Sequence, residues 1–134
     1  MSGGTVDGPR TIRAALLEAI AELQHDANAY ATTIDAATVA EVAYRKAARE
    51  LNEAEEELKS GMIVRGVPGT NEAARTAIIK LELARDPVVT ERREAAERLA
   101  DVKTKADAEA RKWDVYQKAS RAKVFALTAL VARD

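Results

Sequence analysis

The chain has 134 residues and a formal net charge of −1, with 21 Lys and Arg against 22 Asp and Glu. That is room for one domain or one long helical module, and the charge balance excludes a general electrostatic nucleic-acid binder, which would be strongly basic. With no cysteine there is no disulfide framework, thiolate zinc site or cysteine nucleophile.

The apolar share of 47% is inflated by 29 alanines; Leu, Ile, Val and Phe together supply only 28 residues. A thick aromatic core of the kind a broad globular enzyme needs is excluded. Close-packed helices remain, because Ala is the best helix former and lets helix backbones approach. No run of 18 apolar residues is present, so no membrane span is expected.

Gly and Pro fall in three places: residues 3 to 9, residues 61 to 69, and Pro87. The opening nine residues predict a disordered arm without the basic and apolar regions of a signal peptide. Residues 10–134 predict a single helical domain, and the expected location is the cytoplasm. Pro9 suits the first turn of a helix over 10–32, with an amphipathic stripe of Ile12, Leu16, Ile20 and Leu23. Thr32-Thr33-Ile34-Asp35 predicts a break, with three β-branched residues and an N-cap in Thr33 or Asp35. A second helix over 36–60 carries a clear heptad, with Ala40, Ala47 and Ala54 in one row and Tyr44, Leu51 and Leu58 in the other.

Residues 61–70 read as an apolar loop. A short helix follows over 71–85, with Thr70 or Asn71 as N-cap. Asp86-Pro87 then reads as an N-cap followed by Pro at N1, starting a last helix over 87–132. Its expected seam is Ala95, Leu99, Val102, Ala106, Glu109, Trp113, Tyr116, Ser120 and Leu127, weakened by Glu109 and Ser120. The final turns, with Val124, Phe125, Leu127, Leu130 and Val131, are more apolar and need covering. The fold class expected is all-α: a long antiparallel helical hairpin, coiled-coil-like, with an additional N-terminal helix and a short helix at the turn. Helix 10–32 returns to cover the longer last helix, or a second subunit does so as a homodimer.

Little in the sequence carries chemistry. Glu22-Leu23-Gln24-His25 is the Glu-x-x-His step of carboxylate-bridged di-iron bundles, but chance explains one such step. The only His would have to serve as base in any nucleophilic triad. Glu53 and Glu56 give half of a magnesium-binding carboxylate pattern; the second half fails, because Glu82 to Asp86 and Glu97 to Asp101 are spaced by four. The plainer reading of that acidic run is a solvated face opposite Arg92, Arg93 and Arg98. No metal, no cofactor and no enzymatic activity are therefore expected.

Between 111 and 123 the chain is locally basic, and Arg111, Lys118 and Arg121 share one helical stripe. Trp113 and Tyr116 in the same segment can stack bases, which makes it a candidate nucleic-acid patch; the alternative is that both rings fill the seam. The candidate surfaces for a protein partner are the exposed loop residues Ile63, Val64, Arg65 and Val67 and the helix surface around Arg111, Trp113 and Lys118.

Gly69-Thr70-Asn71-Glu72-Ala73-Ala74-Arg75, followed by Leu81, Asp86-Pro87 and an Arg/Glu-rich Ala heptad, resembles a group of small phage-encoded helical proteins. These share a Gly-x-Asn-x-x-x-Arg turn between two long helices and are often found near recombination or early genes. The likeness covers roughly residues 36–120. It implies a helical hairpin with no established enzymatic activity, acting in the host cytoplasm. Within the motif, Asn71 can cap the short helix and Arg75 can reach loop carbonyls or a carboxylate. The expected function is noncatalytic: binding of a host or phage protein. The alternatives are an accessory in phage DNA transactions that touches nucleic acid through 111–123, or a self-assembling virion component.

Overall fold

The structure, a computed structural model, describes residues 8–133, with side chains from residue 11. Most of the expected N-terminal arm therefore lies outside the described residues. Three helices follow in order: α1 (Gly8–Arg65), α2 (Glu72–Arg85) and α3 (Pro87–Ala132). All-α architecture is what the breaker pattern predicts. Contacts divide the chain into two units. The terminal unit comprises Met1–Ala37 and Lys105–Asp134, and the turn unit comprises Thr38–Thr104.

The break expected at residues 32–35 is absent: α1 is one helix of 58 residues. Both threonines are accommodated in place. Thr32 Oγ1 donates to the Asn28 carbonyl (3.0 Å) and Thr33 Oγ1 to that of Tyr30 (2.8 Å). Their hydroxyls thus bond back into the preceding turn, which a helix tolerates. A single heptad register explains the continuity. The row Ala40, Ala47, Ala54 extends back in steps of seven through Thr33, Asp26 and Ala19 to Ile12, and none of these side chains is exposed. The row Tyr44, Leu51, Leu58 extends back the same way through Ala37, Tyr30 and Leu23 to Leu16, again without an exposed member. A helix whose buried stripe stays in phase has more to gain from continuing than three β-branched residues cost.

The other end of α1 also runs past its expected stop. Gly61 is helical, and the chain turns at Gly66, whose φ is +84° and whose N–H donates to the Ile63 carbonyl (3.2 Å). A glycine inside a helix costs about 1 kcal/mol relative to alanine. Burial of Met62 immediately beyond it outweighs that cost.

The short helix and its junction with α3 match expectation closely. Asn71 adopts extended backbone and its Oδ1 accepts the Ala74 N–H (2.8 Å). Asp86 serves both neighbours: its N–H donates to the Glu82 carbonyl (2.9 Å) at the end of α2. Its Oδ2 accepts the Val89 N–H (3.0 Å) and its carbonyl accepts the Thr90 N–H (2.9 Å) at the start of α3. Pro87 between them donates nothing and needs no acceptor.

The α3 seam requires a correction. One expected row, Leu99, Ala106, Trp113, Ser120 and Leu127, is turned inward, with no exposed member. The other row is shifted by one residue. Val89, Ala96 and Ala110 are buried, and Lys103 and Gln117 complete that row half-buried, whereas Val102 (51%), Tyr116 (46%) and Glu109 are exposed. Apolarity favours Val102 and Tyr116 over Lys103 and Gln117. A long polar side chain can nevertheless lay its stem along a seam of alanines and keep its head in water.

Among the described residues seven apolar side chains are buried, and five of them are alanines; Val89 is the one large side chain almost fully enclosed. Ala-rich seams of this kind bring helix backbones close but remove little area from water per residue. In the terminal unit Glu22 meets Lys123 and Asp26 meets Ser120, so residue numbers rise along α1 as they fall along α3. In the turn unit Glu50 meets Arg92 (3.6 Å), one realised contact of the acidic face with its expected arginines.

Candidate interaction surfaces

The Gly-x-Asn-x-x-x-Arg turn is a closed structural device. Gly69 has φ +145°, and a Cβ there would lie 3.0 Å from Arg75 Cγ and 3.1 Å from the Arg75 backbone nitrogen. That nitrogen donates to the Asn71 carbonyl (3.1 Å), and Arg75 Nη1 donates back to the Gly69 carbonyl (3.4 Å). Glycine supplies the backbone angle and the clearance, asparagine the cap, and arginine a latch over the turn. All three residues are occupied with holding the loop to α2.

Ile63, Val64 and Arg65, expected on a loop, sit instead on the last turn of α1. Ile63 is 66% and Val64 86% exposed. The Arg65 guanidinium folds back over Gly61, 3.5 Å from where a Cβ would stand. Val67 departs from the expected exposed set: it is half-buried and lines an open groove of about 250 Å³ with Leu58, Met62 and Ile78. A second open groove of about 420 Å³ runs along Leu58, Gly61 and Val88, and Arg65 borders both. α2 covers this end without burying any of its own residues.

The basic segment 111–123 is largely neutralised by its own neighbours. Lys118 pairs with Asp114 (2.9 Å), Lys112 with Glu109 (3.7 Å) and Lys123 with Glu22 (3.4 Å). The hydrogen bond to Asp114 raises the Lys118 pKa above its ordinary value. Arg111 donates to the Asp107 carbonyl (3.4 Å), and neither Arg111 nor Arg121 has a carboxylate partner among the described residues. Trp113 is half-buried between His25 (ring centroids 5.8 Å) and Tyr116 (5.3 Å), both edge-on, with Lys112 Nζ 5.6 Å from its ring centroid. A tryptophan held this way fills the seam rather than offering a platform for a base.

The sequence reading missed one pairing. Ser120, 8% exposed, donates its hydroxyl hydrogen bond to Asp26 Oδ2, and His25 Nδ1 lies 3.2 Å from Asp26 Oδ1. The signal was available. Asp26 falls on the same heptad row as Ala19 and Ala40, so a carboxylate inside the seam required a donor opposite. These are the three residue types of a nucleophilic triad in the wrong order. The carboxylate stands between hydroxyl and imidazole, so the imidazole cannot take the serine proton, and the serine is too enclosed to meet a substrate. Glu22, three residues before His25, is engaged by Lys123, and among the described residues no three His, Cys, Asp or Glu side chains converge as metal ligands would.

The Asp26 pKa lies below the ordinary aspartate value. The Ser120 hydrogen bond is the largest cause and the His25 contact the next, against an opposing effect of burial. A carboxylate more acidic in the folded chain stabilises it fully above its unfolded value of about 3.9 and loses that contribution as pH falls through the lower folded value. Asp26→Asn is therefore expected to be less stable than the parent near neutral pH, with the difference shrinking below about pH 4. Urea midpoints measured from neutral pH downward check this. A constant difference across that range would mean that ionised Asp26 contributes nothing.

Among the described residues no helix is long and apolar enough to cross a membrane. No family model, no curated protein and no solved structure matches the chain.

Proposed function

We propose that this chain is a noncatalytic, phage-like helical protein that works by binding a host or phage protein, in the host cytoplasm if phage-encoded. The observation that carries the reading is the adjacent pair Ile63 and Val64, 66% and 86% exposed, on the last turn of α1. Single exposed apolar residues are ordinary on protein surfaces. Two in succession, followed by an arginine bordering open grooves, supply the apolar anchor and cation that interfaces favour. Their place on a helix, with Gly66 immediately after, means that little ordering is left to do on binding.

Nucleic-acid binding through 111–123 has less support, since three of its five cations already meet carboxylates and Trp113 is held edge-on.

The test is affinity capture from nuclease-treated host lysate with the parent and with Ile63→Glu/Val64→Glu. Both substituted positions are exposed, so helicity should be unchanged. The parent is expected to retain a stoichiometric protein that the variant loses. Recovery of the bait alone, or equal capture by both, would overturn the reading.

A further inference from the structure

In the turn unit α1 carries a second heptad, on the side away from its seam. Val42, Arg49, Glu56 and Ile63 recur every seven residues and all are exposed, as are Val39, Lys46, Glu53 and Ser60 beside them. The first of these rows stands two residues on from the buried Ala40, Ala47 and Ala54, about 200° around the helix. Apolar side chains mark both ends of the face. Val39 (70%) and Val42 (64%) stand at one, Ile63 (66%) and Val64 (86%) at the other.

Between those ends the charges are sorted by sign. Arg45, Lys46 and Arg49 form a basic block and Glu53, Glu56 and Glu57 an acidic one, every member exposed. The other ionic side chains from 39 to 64 leave both signs in place. Glu41 pairs with Arg45 (2.8 Å) and Lys59 with Glu56 (3.6 Å), one in each block. Glu50 turns to Arg92 of α3, and Glu55 is half-buried off this face. Lys46, Arg49, Glu53 and Glu57 have no ionic partner among the described residues. Sorting is unfavourable within one chain, because like charges three and four residues apart repel: Arg45 and Lys46 with Arg49, Glu53 with Glu56 and Glu57. A helix that supported only itself would interleave the signs.

We propose that this face binds the same face of a second copy, the two α1 helices running antiparallel about a two-fold axis level with residue 51. That register sets Arg45 against Glu57, Lys46 against Glu56 and Arg49 against Glu53, each contact made twice by symmetry. Beyond the charges it sets Val39 against Ile63 and Val42 against Ser60. One register satisfies all five because each pair is centred on the same residue. Every layer joins a member of one exposed row to a member of the other, as antiparallel heptads require. The face lies on a single helix, so one partner covers the whole of it. Parallel pairing would set like charges together. The pairing does not rest on the partner reading above, but both use Ile63, so a second copy and a bound partner exclude each other. The purified chain tests the one and lysate capture the other.

Sedimentation equilibrium of the purified full chain, from low micromolar to submillimolar, is the experiment. The parent is expected to form a reversible dimer that salt weakens. Lys46→Glu/Arg49→Glu sets acid against acid, and Glu53→Lys/Glu56→Lys sets base against base. Each variant alone should dimerise at least about tenfold more weakly than the parent, with helicity by circular dichroism unchanged. Mixed in equal amounts, the two should recover a dimer of roughly parental affinity, because every reversed contact again joins opposite signs. Arg111→Glu/Arg121→Glu makes the same change in net charge at exposed positions of the terminal unit and should leave the dimer intact. A parent that stays monomeric throughout would overturn the proposal, as would a dimer indifferent to both swaps. A dimer that each swap weakens and the mixture does not restore would overturn the antiparallel register.

Discussion

Val89→Ala is expected to lower the unfolding free energy by about 1.5–3 kcal/mol, the cost of removing two buried methyl groups and leaving the space they filled. The reason for choosing this residue is its isolation. Val89 is 1% exposed, and the other buried apolar side chains among the described residues are Met62 and five alanines. An alanine seam has few atoms free to move into the gap, so relaxation recovers little. The backbone should not respond, because the Val89 N–H on Asp86 Oδ2 is retained in the variant. Val88 supplies the internal control: it is 53% exposed, and Val88→Ala should cost no more than about 0.5 kcal/mol. Urea unfolding of parent and both variants checks the pair. Similar midpoints for Val88→Ala and Val89→Ala would show that the start of α3 contributes no packing energy.

Gly69→Ala is the second large effect, about 1–3 kcal/mol, and it arises in the backbone. Two costs add at this position. The φ of +145° is one that L residues rarely adopt, and the new methyl would stand 3.1 Å from a backbone nitrogen already committed to the Asn71 carbonyl. Relief requires opening the first turn of α2. Gly66 separates the two costs, since it has φ +84° but nothing within 4 Å of a Cβ. Gly66→Ala should therefore cost only about 1 kcal/mol. Hydrogen exchange of the Ala74 and Arg75 amides gives the local readout. Both should exchange faster in Gly69→Ala and stay near parental rates in Gly66→Ala. Equal behaviour of the two variants would remove the close-approach argument. Because α2 buries none of its residues, this turn carries much of what holds it in place.

The charged groups of the terminal unit show why a pattern of residue types is a poor guide to chemistry. From sequence, 111–123 is a basic segment interleaved with aromatics. In the folded unit its lysines meet Asp114, Glu109 and Glu22, and Trp113 meets His25 and Tyr116. Two of those partners, Glu22 and His25, lie 101 and 88 positions away from Lys123 and Trp113. No window along the chain can find them.

The sequence by itself determined the helical class, the caps and the turn. Asn71, Asp86, Pro87 and the Gly69 motif act within one helical turn of themselves, so their geometry follows from local backbone chemistry. It also held the continuity of α1, because Ile12 and Ala40 lie a whole number of heptads apart, although the β-branched run at 32–35 read more loudly than that phase. Only the tertiary structure decided which row of α3 turns inward. With an alanine on nearly every face, periodicity is satisfied by two adjacent rows, and the choice rests on packing between helices. The same holds for the Asp26–Ser120 pair and for the half-burial of Val67. Burial of a side chain is a property of what lies opposite it, and here that is a segment distant in the chain.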